Sequence, residues 1–237
     1  MAALTLAFAG CVRDDVDRVE WTSMGTIAAV QRRGGTVPPS ARDAVKKAFA
    51  AVESEFSAFD ENSAIRKLGR CTEFGRPCMD AAMKLKEQSG GAFDPEWKRD
   101  GTLDFGAIAK GFAIDLAAEK LENEFDGIDA LVDLGGNLKA VGGDWRIGIL
   151  GGGEFVLASG AACATSAKYF RGEHIADARS GNAATNGCFS VTVVHPSSAM
   201  IADGLSTTLF ILGKEKGAEF VEKHYPEAKV FWSDAGF

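Results

Sequence analysis

Two stretches of this 237-residue chain carry polar side chains at spacings that chemistry could use. The first is Ile201-Ala202-Asp203-Gly204-Leu205-Ser206-Thr207. On a helix, Asp203 and Thr207 stand four apart and project from one face, with Ser206 nearby, while Ile201, Leu205 and Leu209 turn toward the core. A carboxylate beside a hydroxyl offers hard oxygen ligands, which suit Mg²⁺ or Ca²⁺ better than zinc. The same pattern also fits a helix start in which Asp203 caps free amides, and on spacing alone the cap is the commoner use.

The second is Asp104-Phe105-Gly106-Ala107-Ile108-Ala109-Lys110-Gly111. A strand ending in Asp104, a glycine turn and a helix with Lys110 in its first turns would present amides and one ammonium to an anion such as phosphate. It is not a P-loop, because GxxxxGK[ST] is absent, and small residues in such a run also serve close helix packing. Gly91-Ala92-Phe93-Asp94-Pro95 reads by itself as a turn after a helix stop. Val132-Asp133-Leu134-Gly135-Gly136-Asn137 sets an aspartate in an apolar strand, where it needs partners. The glycine pair behind it lets the backbone approach a ligand.

The elements that must hold these residues follow from periodicity. Residues 19–30 read as a strand, and a helix opens near Pro39 with Ser40 and Asp43 spaced as in a capping box. Val45, Ala48, Phe49, Val52 and Phe56 give that helix one apolar face. Further helices are expected over 64–68, 79–88, 107–125, from about Met200 to Leu212, and over 214–223. Strands are expected over 130–134, 145–150, 155–158, 189–194 and 229–232. Strands and helices intersperse without strict βαβ alternation, so the fold class is α+β.

Composition narrows the function. Twenty-six Lys and Arg against 33 Asp and Glu leave a net charge of −7, an acidic balance that argues against nucleic-acid binding. Five Cys without a CxxC pair and three scattered His give neither a zinc site nor a disulfide framework, and His195 and His224 read as surface residues. No run approaches the roughly 18 apolar residues of a membrane span. Residues 1–10 are nevertheless almost wholly apolar and end at Cys11, followed at once by charge. This segment resembles the tail of a bacterial lipoprotein signal, though without a positive n-region, and reads alternatively as a first core strand. We therefore expect a signal remnant and linker over 1–18 and one domain over 19–237.

The motifs taken in order resemble the ApbE family of flavin transferases, which use FAD to attach FMN to a protein threonine. The matching pieces are Met24-Gly25-Thr26; Phe56-Ser57-Ala58-Phe59-Asp60-Glu61-Asn62-Ser63; Gly90-Gly91-Ala92-Phe93-Asp94-Pro95; and the run from Leu103 to Gly111. Asp133-Leu134-Gly135-Gly136-Asn137, Ala164-Thr165-Ser166, His174-Ile175-Ala176-Asp177, Ser190-Val191-Thr192-Val193-Val194 and Ala202-Asp203-Gly204-Leu205-Ser206-Thr207 follow. The resemblance implies a T-fold-like core of mixed or antiparallel sheets with packed helices, a flavin cleft, and Mg²⁺ near the FAD pyrophosphate. By the same resemblance the metal ligands are Asp203, Thr207 and the main-chain oxygen of Ala107. Flavin contacts are Met24, Phe59, the turn Ala92, Phe93 and Asp94, Asp104, Lys110, Ala176 and Ser206. Asp203 and Lys110 are expected to act in catalysis. His174 is a candidate general base by its chemistry, with a structural histidine as the other reading. The implied partner is an acceptor domain bearing a threonine, on the periplasmic face of a bacterial membrane if Cys11 is lipidated and in the cytoplasm if Met1 is the true start.

Four departures concern the cleft rim, one of them a short lead-in to His174. The family usually carries a longer insert beginning Thr-Val-Gly-Pro before Leu103, where this chain has only residues 96–101. Ala167 stands where Gly is usual, and Asp177-Ala178 replaces Asp-Pro. Flavin and metal binding are expected to survive these changes. Two readings stand beside transfer: an FAD pyrophosphatase releasing FMN and AMP, and a non-catalytic flavin-binding lipoprotein.

Overall fold

The computed structural model describes residues 15–98, 100–149, 153–167, 177–182, 184 and 189–233. Its centre is a seven-stranded sheet in the order β1-β2-β3-β4-β7-β8-β9. The strands are β1 (Val16–Ser23), β2 (Thr26–Arg33), β3 (Ala130–Leu134), β4 (Asn137–Val141), β7 (Ala162–Ala167), β8 (Ser190–His195) and β9 (Lys229–Ser233). Every neighbouring pair is antiparallel. A separate hairpin pairs β5 (Trp145–Gly148) with β6 (Glu154–Leu157).

The period of two along each strand decides what each face carries. Ala28, Val30, Ala130, Val132, Leu134, Val141, Ala162, Ala164, Val191 and Val193 point inward to the main core. Leu131, Leu138, Ala140 and Cys163 point to the other face and are covered by Trp145, Ile147 and Leu157 of the hairpin. Against the inward face lie α1 (Pro39–Phe56), α4 (Ala109–Glu124) and α5 (Ala199–Leu212), with α3 (Arg76–Gln88) packed on α5. The short α2 (Ala64–Leu68) adjoins α1, and α6 (Lys214–His224) adjoins α5. Helix α5 is wedged between α4, α3, β7 and β8, which explains why it is apolar nearly all round. Its close approach to α4 depends on Gly111, where an added Cβ would stand 2.2 Å from the Ala199 carbonyl oxygen.

This is the expected α+β architecture with antiparallel sheets and packed helices, but several local expectations need correction. Residues 19–30 are not one strand: β1 and β2 form a hairpin turned at Met24 and Gly25, whose φ values are 48° and 70°. Two successive positive φ values suit the twist of a two-residue hairpin, and Met is a poor signal for that conformation. Strand β1 begins at Val16, so the linker expected over 1–18 reaches too far into the sheet. Helix α1 starts on Pro38-Pro39 with no side-chain cap, so the expected Ser40–Asp43 box does not form. Residues 102–105 are an irregular segment rather than a strand. Strands β4 and β7 were not expected from sequence. Among the described residues no helix is long and apolar enough to cross a membrane.

Candidate active site

Helix α5 begins at Ala199 with the Ser198 hydroxyl accepting from the Ile201 amide. Asp203 therefore lies inside the helix, and the reading of Asp203 as its cap is ruled out. Asp203 is 4% exposed, and its carboxylate bridges three elements. Oδ1 accepts from Asn137 Nδ2 of β4 at 2.7 Å and from Lys110 Nζ of α4 at 3.2 Å. Oδ2 accepts from the Gly111 amide at 3.0 Å, with Lys110 Nζ at 3.4 Å. A buried carboxylate is tolerable only with such charge-assisted partners.

The Gly111 bond has a further effect. In an unbroken helix that amide would donate to the Ala107 carbonyl. Because it donates to Asp203 instead, no hydrogen bond from the described residues falls on the Ala107 oxygen. Helix α4 accordingly starts at Ala109, two residues later than periodicity indicates. Thr207 is half-buried one turn along α5 from Asp203, its Oγ1 3.3 Å from Ser166 Oγ of β7. Ser206 is 1% exposed; its hydroxyl donates to the Asp203 carbonyl at 2.9 Å and lies 2.9 Å from Ser166 Oγ. The side chain of Ser206 thus has an internal role in this structure.

These atoms test the fit of a metal. Among the described residues no three His, Cys, Asp or Glu gather into a site. The available donors are one carboxylate, one hydroxyl and one freed main-chain carbonyl, all hard oxygens, which suits an ion that keeps several of its waters. Lys110 shows that the position already favours positive charge. Burial first, and then the nearby charge of Asp203, push the Cys78 thiol far above its ordinary range, so no thiolate competes there.

The other expected contacts are spread around this centre. Phe59 is 96% exposed after α1, an aromatic face open to stacking. Met24 is half-buried in its left-handed turn. Ala92 and Phe93 are buried in the core, and Asp94 is held by Lys86 at 2.9 Å. Asp104 accepts from the Gly106 amide at 2.9 Å, and its other oxygen is engaged by Lys98 at 3.1 Å and by the Trp97 indole at 3.3 Å. His174 and Ala176 lie outside the described residues, as does Cys11.

Several contributors escaped the sequence reading. Asn137 and Ser166 lay in recognised motifs but had no role assigned. Asp133 places Asn137: its Oδ1 accepts from the Gly136 amide at 3.0 Å and its Oδ2 from Arg18 at 3.2 Å, which shapes the β3–β4 turn. Behind the site, Asp115 of α4 accepts from Lys139 Nζ, Ser198 Oγ and the amides of Ala199 and Met200, at 2.8 to 3.0 Å. His195, expected at the surface, is 7% exposed; its Nδ1 accepts from the amides of Ser197 and Ser198, and its Nε2 faces Glu227 at 3.3 Å. Burial holds its basicity below the ordinary histidine value.

Residues 96–232, more than half of the chain, match the ApbE family. The chain belongs to the ApbE family. The ApbE match takes in Asp104, Lys110, Asn137, Ser166, Asp203 and Thr207, while Met24, Phe59 and the Ala92–Asp94 turn precede it. The protein is similar to the FAD:protein FMN transferase of Haemophilus influenzae, 35% identical over a 143-residue alignment that covers 52% of this chain and 41% of that protein. Against the FAD:protein FMN transferase of Vibrio cholerae it is 32% identical over a 157-residue alignment that covers 57% of this chain and 46% of the relative. The chain spans less than half the length of these curated relatives. In fold it resembles the flavin transferase ApbE from Vibrio cholerae, with a TM-score of 0.77, 21% identity, and 92% of this chain and 93% of that one covered. The apo Pseudomonas stutzeri flavinyl transferase ApbE gives a TM-score of 0.77 at 23% identity, with 94% of each chain covered.

Proposed function

We propose that this ApbE-family chain transfers the FMN moiety of FAD to a threonine hydroxyl of an acceptor protein, with Mg²⁺ bound by Asp203, Thr207 and the Ala107 carbonyl. The observation that carries the reading is the diversion of the Gly111 amide to Asp203, which frees the Ala107 oxygen beside a buried carboxylate. Bound there, Mg²⁺ would neutralise pyrophosphate charge and make the phosphorus more electrophilic. Asn137 and the Gly111 amide hold the Asp203 carboxylate in one orientation. Lys110 exchanges Asp203 for a pyrophosphate oxygen and adds charge where it develops in the transition state. Phe59 stacks on a ring of FAD, and Met24, Asp94, Asp104 and Ala176 line the substrate, while Ala92, Phe93 and Ser206, buried in this structure, support that lining from behind.

In the chemical step the threonine oxygen forms a bond to the FMN phosphorus. The bond from that phosphorus to the bridging oxygen breaks, and AMP leaves carrying the bridging oxygen. His174 is the group proposed to take the threonine proton. Attachment to a membrane through Cys11, on an exported protein, belongs to the same reading, and the mass of the mature N-terminus from native membranes tests it.

A second reading is favoured by the rim, where Trp97 and Lys98 hold Asp104. Water then replaces the threonine hydroxyl and FAD yields FMN and AMP. Incubating the protein with FAD and Mg²⁺, with and without an acceptor domain, separates these outcomes. An acceptor heavier by one FMN, with AMP released, supports transfer. FMN and AMP beside an unmodified acceptor support hydrolysis, and bound FAD with neither product contradicts both.

A further inference from the structure

We infer that Ser166 is a positioning residue that presents Thr207 as a cation ligand by fixing the direction of its hydroxyl proton. The inference rests on the metal site proposed above and deepens it. Ser206 has a single hydroxyl proton, and its 2.9 Å bond to the Asp203 carbonyl consumes it, because a carbonyl only accepts. The 2.9 Å contact between Ser166 and Ser206 must then be donated by Ser166. Ser166 in turn has no proton left, so the 3.3 Å contact with Thr207 is donated by Thr207. The protons run in one direction, from Thr207 through Ser166 and Ser206 to the main chain of Asp203.

Burial gives that direction its meaning. Ser166 and Ser206 are buried whereas Thr207 is half-exposed, so the Thr207 proton points into the protein and its lone pairs face outward. An oxygen presented in this way is a ligand for a cation and a poor donor to a phosphate oxygen. Without Ser166 the Thr207 hydroxyl is free to turn its proton outward, which repels a cation and suits an anion. The carbonyl at the end of the chain belongs to Asp203 itself, so the relay ties the two side-chain ligands into one unit.

The test is Mn²⁺ binding by the full chain, read by EPR with and without FAD, for wild type, Ser166→Ala, Thr207→Val and the double variant. Ser166→Ala is expected to weaken Mn²⁺ affinity about tenfold, the scale for losing a hydrogen bond that orients a ligand. FAD affinity without metal should stay at the wild-type level or tighten. On the Thr207→Val background Ser166→Ala should have no further effect on Mn²⁺. Ser166→Cys, nearly isosteric and a weak donor, replaces the alanine variant if that one fails to fold, and its Mn²⁺ affinity should fall by a smaller factor. Wild-type Mn²⁺ affinity in a folded Ser166 variant, or an equal loss in the Thr207→Val background, overturns the inference while leaving the metal site standing. No Mn²⁺ binding by the wild type would overturn both.

Discussion

Two carboxylates on the seam between α4 and α5 are built from the same parts and end differently. Asp115 takes one lysine, one hydroxyl and two amides, two bonds on each oxygen. A carboxylate has about four acceptor sites, so Asp115 is saturated. It ties the start of α5 to α4, and Lys139 adds a bond to the Ser197 carbonyl at 2.7 Å. Asp203, one turn further along α5, takes one amide and one carboxamide at short range and shares a single ammonium between its oxygens at 3.2 and 3.4 Å. If Lys110 turns away, one site opens on each oxygen, beside the free Ala107 carbonyl and Thr207. A closed set of bonds makes a clamp, and a set completed by one movable cation makes a place for another cation.

The two carboxylates differ most in what they do for activity. Asp203→Asn is expected to lower FMN transfer by about 10²–10³-fold while the protein stays folded, because Asn can still accept from Gly111; acceptor mass and a melting curve check both halves. Asp115→Ala should do the opposite, costing about 3 kcal/mol of stability in urea titration by leaving Lys139 and two amides without their acceptor, with little change in turnover by the folded fraction. Ser198→Ala removes both the cap of α5 and one Asp115 contact and should cost about 1–2 kcal/mol. The pH dependence sharpens the clamp side. Burial lowers the folded-state basicity of His195, so the unfolded chain binds its proton more readily, and stability falls as pH drops below about 6.5 toward the lower folded value. That slope is at most about 1.4 kcal/mol per pH unit. His195→Asn, which keeps an acceptor near the Ser197 and Ser198 amides, should flatten it in melts between pH 7 and 5.

What the sequence disclosed follows from how local each signal is. Asp203 and Thr207 share a helix at i, i+4 spacing, so their common face was legible, as was the turn of glycines that delivers Asn137. The α1 stripe from Val45 to Phe56 was equally plain. The clamp was not legible, because Asp115, Lys139, His195 and Ser198 meet only through tertiary packing. Strands β4 and β7 are short and carry Asn, Lys, Ala, Ser and Cys where β-branched residues would have announced a strand. The hairpin turn at Met24 was hidden because a methionine rarely takes positive φ without a functional or packing constraint. The start of α4 was misplaced for a related reason: a side chain from α5 captures an amide of its first turn.

We propose that Asp203, unlike Asp115, holds a cation needed for FAD chemistry. A Mg²⁺ titration of AMP release from FAD, run side by side for wild type, Asp203→Asn and Asp115→Asn with an acceptor domain present, tests it most directly. Asp203→Asn is expected to lose the Mg²⁺-dependent release, while Asp115→Asn, though less stable, is expected to keep the wild-type Mg²⁺ midpoint. Wild-type Mg²⁺-dependent release by Asp203→Asn would contradict it.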